Sequence, residues 1–197
     1  MKRKFKLSKK YFTDGALIVF SVLFALFISK VTENIKVENE KKEALEKIRM
    51  EIRGNLQVVD VWVNKHSEIL ERLTQLSEGK KDSLRIKLLE FNYLNTYVLF
   101  NGQSLLHDII SQNAWETSKA SGIIREFDFD TAQKLTKVYS LQETIMDKTI
   151  TNLTNRLTAT ETHDMKKFDL NLLGLQFLMM ELVGQELLLR ELYQGIL

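Results

Sequence analysis

In 197 residues there is no proline, and glycine occurs only eight times. Proline is the residue that ends or kinks a helix, because it removes a backbone donor and clashes with the preceding turn. A chain without it forms long uninterrupted helices wherever its apolar residues recur at helical spacing. The absence of cysteine removes disulfides, thiolate catalysis and zinc-thiolate sites from consideration.

The first thirty-one residues set a location. A tail carrying Lys2, Arg3, Lys4, Lys6, Lys9 and Lys10 precedes fifteen uncharged residues, Gly15 to Ser29 (GALIVFSVLFALFIS). Basic residues beside an apolar run are retained on the cytoplasmic side, so these six are the expected topology signal. Ala16, Leu17, Ile18, Val19, Phe20, Val22, Leu23, Phe24, Leu26, Phe27 and Ile28 are the expected membrane anchor. Fifteen residues reach only about 22 Å, short of a ~30 Å hydrocarbon core. Tyr11 and Phe12 on one side and Val31 on the other extend the run, with Lys10 and Lys30 long enough to snorkel. A cleavable signal peptide needs small residues of the A-x-A kind at its cut site; the candidate positions hold Leu26, Phe27, Ile28 and Ser29, and Phe27 is a poor −3 residue, so an uncleaved anchor is expected. The expected organisation is a basic cytoplasmic tail (1–14), a transmembrane helix (15–31) and one helical-bundle domain (32–197) in an extracytoplasmic position. The membrane implied is a bacterial cytoplasmic (inner) membrane, crossed once.

Of 28 basic and 26 acidic residues, six and one fall in the first fourteen, leaving 22 against 25. The body is therefore slightly acidic, and its charge argues against a nucleic-acid partner.

Beyond the anchor, Leu45, Ile48, Ile52, Leu56, Val59, Val63, Leu70 and Leu73 recur in steps of three and four, with His66 filling the one gap. The membrane helix is expected to run on into this stripe as far as Ser77, where Ser77 to Ser83 with Gly79 makes a turn. Leu84 to Phe100 reads as a helix closed by Asn101-Gly102, and Ser104 to Ser121 as a second, with Leu105, Leu106, Ile109 and Ile110 inward, ended by Gly122. Asp130 with Gln133 resembles a capping box opening a helix through Leu157. Its stripe is Leu135, Val138, Gln142, Ile145, Thr149, Leu153 and Leu157.

The last helix is the most apolar part of the body. Phe168, Leu172, Leu175, Met179, Leu182, Leu189, Tyr193 and Ile196 fall on heptad positions and form the candidate interaction face, while Leu173, Phe177, Met180, Leu187 and Leu188 cover a second face. Glu181 and Glu186, beside Asn171, Gln176 and Gln185, make a second membrane span too costly, since each acidic residue near a span's centre costs ~2.5–3.5 kcal/mol. The helix is expected in the bundle or in an oligomer contact. The fold class is all-α: an N-terminal transmembrane helix continuing into a long helix, plus an antiparallel helical bundle with coiled-coil character.

Chemistry-bearing constellations are sparse. His107 and His163 precede aspartates, but ligands at adjacent helix positions point to different sides, and no histidine lies four residues from another. Ser104 in Asn101-Gly102-Gln103-Ser104-Leu105 lacks the second glycine of a nucleophile elbow. No catalytic residue, cofactor or metal site is assigned, and the chain is not expected to be an enzyme.

The anchor ending in Ala25-Leu26-Phe27-Ile28, the segment Glu43-Ala44-Leu45-Glu46-Lys47-Ile48-Arg49-Met50-Glu51-Ile52 with Asn55, the segment Ala114-Trp115-Glu116-Thr117-Ser118-Lys119-Ala120-Ser121-Gly122, and Tyr139-Ser140-Leu141-Gln142 together resemble a family of uncharacterised bacterial single-pass membrane proteins with a helical body. The resemblance implies topology and bacterial origin and carries no activity. The expected function is protein–protein contact, as a structural or accessory subunit of a membrane complex, with lipid and a protein partner or second copy as the things touched. The competing expectation is a small-ligand sensor on the same anchor.

Overall fold

The computed structural model describes residues 9–80, 82–106 and 108–197, the side chains of residues 9–11 excepted. It is all-α, with no strand among the described residues. Helix α1, Lys9–Ser77, runs unbroken for 69 residues, about 100 Å at ~1.5 Å per residue. The missing proline is what permits this length, and Gly54 inside it is tolerated because the flanking turns are packed on other helices.

Glu78 and Gly79 (φ 71°) reverse the chain. Two short helices follow, α2 (Asp82–Leu89) and α3 (Thr96–Leu99). The single helix expected over 84–100 is thus broken. Asn95 caps α3 by accepting from the Val98 amide (3.1 Å), and Arg72 of α1 donates to the carbonyls of Val98 (3.2 Å) and Leu99 (3.0 Å) at its other end. A four-residue helix has too few internal bonds to stand alone, so these long-range partners hold it.

Asn101 (φ 57°) and Gly102 (φ 73°) make the expected turn. Residues 103–106 and 108–112 then run as irregular chain rather than helix, with Ile110 buried and Ile109 exposed. Helix α4 covers Asn113–Ser121 and ends at Gly122 (φ 78°), whose left-handed conformation supplies the expected cap. Helix α5 (Phe129–Glu143) opens on Asp128, which accepts from the Thr131 amide (2.9 Å); the cap expected at Asp130 falls two residues earlier. A π-helical segment, Thr144–Ile150, joins α5 to α6 (Thr151–Thr158). The predicted stripe through Leu135, Val138, Gln142, Ile145, Thr149 and Leu153 is buried along this composite helix.

Helix α7 (Phe168–Gln194) returns antiparallel to α1 and packs along it more extensively than any other element. The two faces match in register. On α1 the most buried row is Ile48, Ile52, Asn55, Val59, Trp62, His66, Ile69, Leu73 and Leu76, and on α7 it is Phe168, Leu172, Leu175, Met179, Leu182, Glu186, Leu189 and Tyr193. Both rows step strictly by four and three, the seam of a coiled coil. Each fully buried Leu, Ile or Val contributes roughly 1.5–3 kcal/mol, so this seam is the main source of stability. The composite helix α5–α6 covers a second side of α7, and α4 lies on α1.

This pairing corrects one expectation. Phe168, Leu172, Leu175, Met179, Leu182, Leu189 and Tyr193 are all buried inside the chain, and Ile196 is half-buried at its end, so the heptad row is core and not an outward contact face. α1 supplies the matching row, so the heptad positions of α7 are satisfied within one molecule. The surface left outward is the second one, Leu173, Phe177, Met180 and Leu188, 40–56 % exposed. Leu187, placed on that second face from the sequence, packs partly against the core instead.

Candidate functional site

Three regions could carry function: the bare N-terminal stretch of α1, the polar layers inside the bundle and the outward face of α7. The apolar 18-residue window within α1 is wholly unburied, whereas the corresponding window of α7 is 39 % buried. Both helices are long and apolar enough to cross a membrane. Of the expected anchor, Ala16, Leu17, Ile18, Val19, Phe20, Val22, Leu23, Phe24, Leu26, Phe27 and Ile28 are all exposed along one continuous helix. Lys2, Arg3, Lys4 and Lys6 lie outside the described residues, and Lys9 and Lys10 enter the description only as backbone at the start of α1. The apolar core first takes up α1 at Ala44 and Leu45, and one turn earlier Glu40 already lines a cleft against α4. The helix between Val31 and Glu40 is a neck of about 14 Å.

Two polar layers interrupt the apolar seam. In the first, His66 and Glu186 face one another, both with fully buried side chains. Nε2 of His66 donates to the Leu105 carbonyl (2.7 Å), because a carbonyl only accepts, which leaves Nδ1 for Glu186 Oε1 at 2.7 Å. Burial pushes the Glu186 carboxyl above its ordinary range, with the His66 ring pulling the other way. Glu186 Oε2 has no hydrogen-bond partner. That unpartnered oxygen in a fully buried side chain is part of the desolvation that raises the carboxyl. The layer also pins residues 103–106 to the seam through Leu105.

The second layer is larger. Asn55 of α1 pairs with the backbone of Ser111 at both ends of its amide, donating to the carbonyl (2.6 Å) and accepting from the N–H (2.7 Å). Gln142 of α5 donates to the same carbonyl (2.9 Å), and its own Oε1 accepts from the Tyr193 hydroxyl of α7 (2.7 Å). One turn away, Glu51 caps α4 from outside. It accepts from the Ala114 amide (2.8 Å), the Ser111 hydroxyl (2.9 Å) and the Tyr139 hydroxyl (2.7 Å). Its carboxylate meets the positive end of α4, whose own flanking residue Gln112 makes no side-chain cap. Burial, reinforced for Tyr139 by Glu51, moves the Tyr139 and Tyr193 hydroxyls upward and keeps both as donors. Trp115 stacks on Tyr139 with ring centroids 5.0 Å apart and planes 2° off parallel.

These layers explain why 103–106 and 108–112 are not helical. Asn55 and Gln142 take the backbone groups of Ser111, and His66 takes the Leu105 carbonyl, so the chain's polar groups are satisfied by side chains from α1 and α5. Segments 51–55, 114–115 and 139–142, separate in sequence, thereby meet at one level of the bundle. The sequence signals were the polar residues standing in apolar rows: Asn55 between Ile52 and Val59, Gln142 between Val138 and Ile145, and Glu186 between Leu182 and Leu189.

The remaining histidines do not assemble. Both ring nitrogens of His163 lie against backbone carbonyls, Leu94 (3.1 Å) and Leu157 (2.9 Å), leaving neither for a metal. Asp164 accepts from the Lys166 amide (3.0 Å), opening the turn before α7. His107 lies outside the described residues. Among the described residues no cluster of three or more His, Asp or Glu is placed to hold a metal ion.

Fold and site together define an all-helical protein built on one rod, with a bare apolar end and a bundle folded onto the other. No family model matches the chain, and neither a curated protein nor a solved structure matches it.

Proposed function

We propose that this is a single-pass membrane protein whose N-terminal tail is cytoplasmic and whose bundle stands on the far side of a bacterial cytoplasmic membrane, acting through protein contacts as a structural or accessory subunit. One observation carries the reading: the exposed apolar stretch and the central seam of the bundle belong to the same unbroken helix, α1. An apolar stretch of this length left bare in water is strongly unfavourable, while in a bilayer it satisfies every backbone hydrogen bond internally. A rigid rod joining it to the seam holds the bundle at a set height and orientation above the lipid, which suits a scaffold.

The test is fractionation with topology reporters. The full chain is expected in the membrane fraction, extracted by detergent and not by high salt or alkali, with a C-terminal reporter active only outside the cytoplasm. A chain starting at residue 32 is expected to be soluble and to melt within a few degrees of the full one. Recovery of the intact chain, first thirty residues included, from the soluble fraction would overturn the proposal.

A further inference from the structure

The outward face of α7 is an apolar stripe with no partner among the described residues. Leu170, Leu173, Phe177, Met180, Gly184 and Leu188 follow one another in steps of three and four, and all six are exposed. The stripe extends over about 27 Å. The stripe itself carries no charge; beside it, Asp169 pairs with Arg85 (2.6 Å) and Glu181 accepts from Gln185 of its own helix (3.2 Å). The geometry points to a second copy of this chain as the occupant, with the two α7 helices side by side, parallel and in register. This rests on the membrane-anchored reading, since the anchors are what align the copies.

The argument for a second copy is one of orientation, charge and area. Two copies held in one bilayer by α1 point the same way. Because α7 is antiparallel to α1 within each bundle, the two α7 stripes run in the same direction at the same height. Leu173 then meets Leu173 of the second copy, and likewise Phe177 and Met180, in the alternating d and a positions of a parallel coiled coil, with Leu188 flanking the row beside Gly184. In that register the position flanking Glu181 is Gln176, so like charges are not opposed along the stripe. The opposite, antiparallel alignment would bring Glu181 against its twin near the twofold axis and send the two anchors to opposite sides.

The five large side chains of the stripe are 40–64 % exposed. At roughly 150–200 Å² per side chain, the low end of the aromatic range because four of the five are Leu or Met, they present about 400–500 Å² per copy. Both copies together present about 800–1,000 Å², at or just below the ~1,000 Å² that a specific interface between freely diffusing proteins needs. Confinement to one membrane with shared orientation supplies the remainder, since it raises the effective concentration of one stripe at the other without any new contact.

The chain contains no cysteine, so single cysteines report contacts cleanly. The full chain is placed in phosphatidylcholine vesicles as Leu173→Cys, Leu188→Cys or, for background, Gln57→Cys on an exposed part of α1. After mild oxidation, Leu173→Cys and Leu188→Cys are each expected to cross-link with themselves well above the Gln57→Cys background. Adding Met180→Glu is expected to cut the yield roughly tenfold, as loss of an interface anchor does. Helicity and melting should not change, because Met180 is 54 % exposed in the bundle. Cross-linking only in a mixture of the two cysteine variants would signify antiparallel pairing and overturn the proposal. Yields at background for both variants would also overturn it. If in that case a protein that co-purifies with the natural chain were lost with Met180→Glu, the contact reading would stand with a foreign partner while self-pairing failed.

Discussion

Replacing Glu186 by glutamine tests the charge state of the central seam. The glutamine amide has nearly the shape of the carboxyl. It donates to His66 Nδ1 as a protonated carboxyl would, leaving Nε2 on the Leu105 carbonyl. Because burial raises the Glu186 pKa, the folded state binds a proton that the unfolded chain releases near its ordinary value of 4.5. The sign follows by linkage: this proton's stabilisation is complete below the unfolded pKa and is lost as pH rises through the folded one. Glutamine does not titrate, so the pH effects of groups remote from the His66–Glu186 pair cancel in the comparison. At pH 4.5 the two proteins are expected to lie within about 1 kcal/mol of each other. Above that, the natural protein loses about 1.4 kcal/mol per pH unit relative to Glu186→Gln until the folded pKa is passed. For a domain of this size, that is roughly 3–5 °C of melting temperature per pH unit, read by circular dichroism in detergent from pH 4 to 9. The refuting result is a variant destabilised by about 3–5 kcal/mol throughout neutral pH, which would mean that the pair is ionised and that the amide has broken a buried salt bridge.

Glu51→Ala removes the outside cap of α4 and strands the donors at Ser111, Ala114 and Tyr139. The expected cost is about 2 kcal/mol, and amide exchange at Ala114 and Trp115 should rise about thirtyfold while the seam amides move less. Gly102→Ala combines a left-handed φ of 73° with a Cβ 3.2 Å from the Tyr97 hydroxyl. Tyr97 is largely exposed and its ring can swing aside, so the expected loss is only the backbone term of about 1 kcal/mol, seen as 2–4 °C in thermal melting.

Much of the fold is legible in the residues because helix periodicity is a local property. The stripes of α1, the composite α5–α6 helix and α7 are each written within a single stretch of chain, and so are the turn at Gly79 and the cap at Gly122. The failures lie where the deciding partner is distant. Leu84 to Phe100 has the apolar content of one helix, yet it breaks and leaves a single turn at α3, held by Arg72 from another helix. Residues 104–112 have an inward pattern on paper, but Asn55, Gln142 and His66 bind their backbone groups and leave no helical ladder to form. The knot of Glu51, Asn55, Ser111, Tyr139, Gln142 and Tyr193 was visible only as polar residues interrupting apolar rows. Interruption signals that a partner exists and not which one it is.

The amino-acid order alone determines that this chain is helical, that its first apolar run is bare of charge and flanked by lysines, and that its last helix is greasy on two sides. Which of those two sides is core was settled by tertiary packing. Helix α1 carries a row with the same alternating step and takes one face of α7, and α5–α6 takes part of another. The outward stripe is what remains after those partners are seated. Periodicity states that a face must be covered, but burial is a relation between two surfaces, and only the folded chain brings both together.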